Sequence, residues 1–158
     1  MLTLISVGKL KEPFYRSAAT EYEKRMKAYG GIQMIELSEE RLSENPTPAQ
    51  IHTALQKEAE AVRKKLPKKC WLCILSPEGK LLSSEQLAKK IQTIRTDGIS
   101  EFVFLVGSSF GISEDLKQQA DFLLSMSPMT FPHHLARIMV LEQLYRAENI
   151  LRGTKYHK

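Results

Sequence analysis

The sequence is poor in the features that most directly announce a function. Two cysteines in 158 residues are too few for a disulfide framework or for a four-cysteine zinc site. No apolar run approaches the ~20 residues that a membrane span requires. The first ten residues carry no charged leader, no long apolar stretch and no cleavage site, so a cytoplasmic protein without membrane association is expected. There is no G-x-S-x-G, no Gly-Lys-Ser/Thr after a glycine-rich loop and no G-x-G-x-x-G. Those absences remove the nucleophile elbow, the P-loop and the dinucleotide fingerprint. Low-complexity tracts, internal repeats and linkers are absent too.

Metal chemistry finds little support. Cys70 and Cys73 form a C-x-x-C, but they fall in a run that reads as a strand, where residues three apart face opposite ways. The two thiols then diverge, and two small buried hydrophobes is the favoured reading. His133 and His134 are adjacent, point about 100° apart on a helix and have no carboxylate at i+4. No metal is expected.

What is present is ordinary globular composition, 42% hydrophobic and 26% charged, in a length that fits one domain over residues 1–158. The net charge of +5 is a mild bias toward a polyanionic partner.

Strand and helix patterns alternate along the chain. Leu2 to Val7 reads as a strand, and Pro13 opens a helix of about four turns that Gly30-Gly31 stops. Ile32 to Leu37 is a second strand, Ser43 to Pro48 a loop, and Ala49 to Lys65 a helix with a solvated Lys/Glu face. Cys70 to Leu75 reads as a third strand, with Ser76-Pro77-Glu78-Gly79 as a turn. Ser83 is the expected N-cap of a helix to Thr96. Glu101 to Val106 is a continuous apolar run, as in a doubly covered central strand. A short helix around Ser113 to Gln119, a strand from Ala120 to Met126 and a long helix from Pro132 to Leu151 complete the pattern. The fold class is α/β, a mostly parallel sheet with helices on both faces.

In such sheets ligands bind beyond the carboxyl ends of the strands. Three loops leave those ends, after Leu75, after Val106 and after Met126. Gly107-Ser108-Ser109-Phe110-Gly111 can bring backbone amides close to a ligand, although on the motif alone a plain strand-to-helix turn is the favoured reading. Two prolines stiffen Ser125 to Pro132 into a possible pocket wall. Ile138 to Leu141 are apolar around the whole circumference of the last helix, which points to a homodimer interface, the alternative being a helix wedged deep in its own chain. The segment from Arg137 to Lys158 holds five cations against two carboxylates. Its end, Tyr156-His157-Lys158, has the makings of a base-stacking, phosphate-contacting tail or of a frayed terminus.

Taken together, several of these segments resemble the ribosomal RNA large subunit methyltransferase H family. They are Leu4-Ile-Ser-Val-Gly-Lys, the strand-end Leu-Val-Gly, the block Thr130-Phe-Pro-His133…Arg137, Glu142-Gln-Leu-Tyr-Arg146-Ala and the closing Tyr156-His157. The resemblance spans the chain in order and length. It implies a SPOUT fold with a deep C-terminal trefoil knot, a homodimer with its active sites at the interface, and S-adenosylmethionine as cofactor. It implies N3-methylation of a pseudouridine in the helix 69 loop of 23S rRNA within the assembled ribosome. It places the cofactor against Leu75, Gly107, Met126, Ser127, Pro128, Met129, Thr130 and Phe131. His157, Tyr156 and Glu142 become catalytic candidates, and Arg137, Lys155 and Lys158 contacts to RNA. The family usually has Gly-Gly where this chain has Gly107-Ser108. If Ser108 has to adopt a positive φ, strain and weaker cofactor binding follow. A non-catalytic ribosome-binding protein of the same fold is the alternative.

Overall fold

The computed structural model describes the whole chain, Met1–Lys158. The elements are β1 (Leu2–Val7), α1 (Pro13–Met26), β2 (Ile32–Leu37), α2 (Pro48–Arg63), β3 (Trp71–Leu81), α3 (Ser84–Thr96), β4 (Phe102–Val106), α4 (Glu114–Gln118), β5 (Phe122–Ser125) and α5 (His133–Leu151). A 3-10 turn at Lys27–Tyr29 extends α1 before Gly30 and Gly31, both at positive φ, turn the chain into β2. The five strands form one parallel sheet in the order β2-β1-β4-β3-β5. No helix is long and apolar enough to cross a membrane.

The period-two alternation of the strands sorts the core into two layers. Leu2, Leu4, Trp71, Cys73, Phe102 and Phe104 face Ala19 and Met26 of α1, Ala88 and Ile91 of α3, and Leu141 and Leu144 of α5. Ile5, Val7, Leu72, Ile74, Val103 and Leu105 face Ala59 and Val62 of α2 and Leu116 of α4. Every residue of β4 is buried, as a strand between two helical layers requires. Each fully buried Leu, Ile or Phe contributes about 1.5–3 kcal/mol. Cys73 lies in the first layer and Cys70 packs against the second, so the thiols do diverge and both are free. Burial pushes the Cys73 thiol up, which leaves it unreactive.

Local sequence sets several boundaries. Thr47 and Gln50 form a reciprocal capping box at the start of α2, and Ser83 and Gln86 do the same for α3. Pro48, read from sequence as loop, is instead the first residue of α2, where its missing N–H costs nothing.

Two expectations need correction or refinement. Ser76 to Gly79 is not a turn that ends a strand. It is a bulge inside β3, because Leu75 and Lys80 both pair with Leu124. Gly79 is required there, since a Cβ would come within 2.7 Å of the Leu123 backbone. The last helix is covered by its own chain on one side only: Val140 and Leu141 are buried between sheet and helices, whereas Ile138 and Met139 are half-buried. α5 packs against both α1 and α3.

Candidate active site

The sheet order makes β4, β3 and β5 neighbours, and because they are parallel, the chain leaves all three on the same side. The bulge that follows Leu75 within β3 and the segments that follow Val106 and Ser125 enclose one cleft of about 650 Å³, within the size of a small-molecule site. Leu75, Gly107, Met126, Ser127, Met129, Thr130 and Phe131 all line it. Pro128, expected with them, belongs to the same loop but does not reach the cleft wall.

The walls are built by short-range constraints. A Cβ on Gly107 would lie 2.4 Å from Ile112 Cγ1 and 2.5 Å from the Gly111 carbonyl oxygen, so only glycine lets the turn fold back this tightly. Gly111 completes the turn at a φ of 93°. No residue other than glycine has a positive φ. The strain considered for Ser108 is therefore absent, and its hydroxyl instead donates to Glu58 Oε2 at 2.7 Å. On the opposite wall the Ser125 hydroxyl donates to the Ser127 carbonyl at 3.0 Å, and Ser127 Oγ accepts from the Met129 amide at 3.0 Å. These bonds brace the loop and leave Met129 74% exposed.

Few charges reach the cleft. Lys117 is the single Lys or Arg among its lining residues, and it is held by Glu78 at 2.6 Å and Glu114 at 2.9 Å. Burial works against its ammonium, but the two carboxylates more than offset that and raise its pKa. His133 is the lining imidazole. Burial, reinforced by neighbouring His134, lowers its pKa and favours the neutral ring.

The catalytic candidates come together elsewhere. Arg146, one turn along α5 from Glu142, donates to Glu142 Oε1 from Nε at 3.0 Å and from an amino group at 2.7 Å. The Tyr156 hydroxyl donates to the same oxygen at 3.1 Å, and the Gln143 amide donates to Glu142 Oε2 at 2.7 Å. Arg146 also lies over the Tyr156 ring, 4.7 Å from its centroid. His157 bridges Arg146 at 3.3 Å through Nδ1 and Glu85 at 2.6 Å through Nε2. A guanidinium has no acceptor, so Nδ1 is the accepting nitrogen and Nε2–H donates to Glu85. Burial and the bond to Glu142 raise the Tyr156 phenol. Bonds from Ser83, from its own backbone and from His157 hold Glu85 down to about 2.

None of Glu142, Arg146, Tyr156 or His157 lines the cleft. Glu142 lies nine residues, about 13 Å, along α5 from His133 at the cleft edge. Lys155 and Lys158 are exposed on the tail.

Arg137 is a correction. It is fully buried, donating to the Gly8 carbonyl at 2.6 Å and pairing with Glu36. It ties α5 to β1 and β2 and presents no cation to a polyanion.

Sequence reasoning did not select Arg146 or Glu85 as site residues. The i,i+4 relation of Glu142 and Arg146 was a usable signal. Glu85, 72 residues from His157, left none.

Residues 1–157 match the family described as "Predicted SPOUT methyltransferase". Over 157 residues the chain is 42% identical to the protein named "Putative ribosomal RNA large subunit methyltransferase H" of Methanococcus maripaludis (strain C5 / ATCC BAA-1333), covering 99% of each chain. A whole-length family match, this identity and a parallel sheet with its cleft at the strand ends agree, and the chain belongs to the SPOUT methyltransferases, in the ribosomal RNA large subunit methyltransferase H family.

Proposed function

We propose that the protein transfers a methyl group from S-adenosylmethionine to N3 of a pseudouridine in the helix 69 loop of large-subunit ribosomal RNA. It acts in the cytoplasm, as a homodimer, on the assembled ribosome. The observation that carries this reading is the meeting of Leu75, Gly107 and the 126–131 loop in one cleft. The family's C-terminal trefoil knot goes with the same reading.

The cleft suits the cofactor. Its volume, its apolar walls at Leu75, Met129 and Phe131, and the close backbone approach at Gly107 match a flat heterocycle held largely by main-chain groups. When bound, S-adenosylmethionine supplies an electrophilic methyl group, and the protein's part is alignment.

The tail cluster supplies the substrate side. In one chain it does not line the cleft, so the tail of one protomer serves the cleft of the other. Glu142 already accepts four hydrogen bonds and orients Arg146 and Tyr156. Arg146 is placed to stabilise negative charge on the target base as N3 loses its proton and takes the methyl group. Turning Arg146 to the substrate frees His157 Nδ1 to accept that proton, while Glu85 keeps Nε2 in place. Lys155 and Lys158 contact phosphate.

The test is transfer of labelled methyl from S-adenosylmethionine to ribosomes lacking the modification, with free rRNA and free large subunits as controls. Label in a helix 69 pseudouridine of the ribosome supports the reading. Label elsewhere, or on free rRNA only, replaces the substrate. An absence of cofactor binding overturns the reading itself.

A further inference from the structure

The turn that forms one wall of the cleft is tied down from outside by carboxylates. Ser108 and Glu58 are each 6% exposed, and the Ser108 hydroxyl donates to Glu58 Oε2 at 2.7 Å. The other oxygen of Glu58 accepts the Glu40 backbone amide at 2.9 Å. The next residue of the turn, Ser109, donates both its amide, at 3.1 Å, and its hydroxyl to Glu39 Oε1. Two consecutive serines of the turn are thus bonded to the β2–α2 connection and to α2. Both serines line the cleft, and neither carboxylate does.

A carboxylate buried in a helix that faces an apolar layer is costly unless each oxygen is satisfied. Burial does push the Glu58 carboxyl up, with the bonds from Glu40 and Ser108 opposing. Its retention is explained if both oxygens are spent on geometry. One fixes the β2–α2 connection and the other fixes the turn.

Resting on the proposal that this cleft holds S-adenosylmethionine, we infer that Glu58 is a positioning residue for the cofactor. Through Ser108 it holds the Gly107–Gly111 turn in its binding conformation, without touching the ligand. Ser109 and Glu39 brace the same turn.

The experiment measures the Kd for S-adenosylmethionine, and KM and kcat for methyl transfer, in Ser108→Ala, Glu58→Ala, Glu58→Gln and the Ser108→Ala/Glu58→Ala double variant. A lost hydrogen bond to a carboxylate corresponds to a Kd and KM raised about tenfold in Ser108→Ala. kcat at saturating cofactor stays within about twofold, a separation that general loss of stability does not produce. The double variant binds no more weakly than Glu58→Ala alone, because both substitutions cut one link. Glu58→Gln keeps a partner for the Ser108 hydroxyl and recovers most of the affinity. A folded Ser108→Ala variant that binds the cofactor within twofold of the unaltered protein overturns the inference, even if Glu58→Ala fails to fold. So does a double variant in which the two effects multiply. If the unaltered protein binds no S-adenosylmethionine, the cofactor reading falls and this inference with it. If it binds the cofactor but does not methylate rRNA, only the substrate is wrong.

Discussion

Arg137 reaches across from α5 to donate to the carbonyl oxygen of Gly8, the residue that follows β1. Its guanidinium is fully buried and also pairs with Glu36 of β2. Burial lowers its pKa while Glu36 opposes that, the signature of a cation kept inside by its partners. Removing it takes the guanidinium away from the Gly8 carbonyl and leaves Glu36 only the Leu10 amide, at 3.2 Å, as a donor. Arg137→Met should lower unfolding stability by about 3 kcal/mol, near the bottom of the range for a broken buried pair because Glu36 retains solvent access. Urea denaturation measures this as a lower midpoint. The same variant should leave the salt dependence of RNA binding unchanged. A reduced slope returns Arg137 to the RNA surface.

Gly107 gives a sharper steric test. An alanine there meets both a side chain, Ile112, and a backbone oxygen, that of Gly111. The turn has to open, at a cost of about 1–3 kcal/mol. Gly107→Ala should weaken binding of S-adenosylmethionine by tenfold or more in calorimetry. Shortening the neighbour in Gly107→Ala/Ile112→Ala removes only the side-chain contact, so affinity should not return. Recovery in the double variant means that the backbone contact is not limiting.

These two residues also mark what the sequence makes legible. The turn at Gly107 was visible as a candidate because a glycine after an apolar strand and before a helix sits where parallel sheets open their clefts, and the family resemblance singled out Gly107 within it. The period-two runs of β1 and β4 and the Ser83 cap were legible for similar reasons, since their causes are local. Arg137 was not legible. Its partners lie 129 and 101 residues away, and nothing nearby in sequence distinguishes a buried arginine from one on a basic surface. The bulge in β3 was missed because Ser-Pro-Glu-Gly has turn chemistry, while the strand resumes only through long-range pairing of Lys80 with Leu124. Glu58 looked like one more acid on a solvated helix, and only the packing of α2 against the cleft turn shows what it holds.

The tail cluster predicts a kinetic signature opposite to that of the cleft. Arg146→Met should lower kcat by about 100-fold, the scale of losing one transition-state donor. Binding of S-adenosylmethionine to the isolated protein should change by less than twofold. Tyr156→Phe removes a single bond to Glu142 and should cost about tenfold. A loss of less than about tenfold in His157→Ala removes His157 as the proton acceptor. Lys155→Ala and Lys158→Ala should each lower the slope of log affinity for the ribosome against log salt by about 1, with kcat unchanged.

The pH dependence of stability has a sign set at the cleft edge. Burial, then His134, lowers the pKa of His133 in the folded protein below its ordinary 6.5. Above that value the ring is neutral in both folded and unfolded states and contributes no slope. As pH falls below 6.5 the unfolded chain takes up a proton that the folded one resists, so stability falls on acidification until the folded pKa is reached. Glu39 lies near His133, both close to Gly8. Burial raises its carboxyl, but the bonds from Ser109 more than offset that and hold it below the usual 4.5, so its stabilisation too is lost only as pH falls. Glu58 acts in the opposite sense. Its folded pKa is raised by burial, so its contribution is complete below 4.5 and declines as pH rises through the folded value. His133→Gln should therefore flatten the fall in melting temperature just below pH 6.5, and, because the His133 charge helps to lower the Glu39 carboxyl, it also trims the Glu39 contribution near and below pH 4.5. Thermal melts of both proteins across that range decide it, and a curve left unchanged below pH 6.5 means that the imidazole is protonated as readily in the fold as outside it.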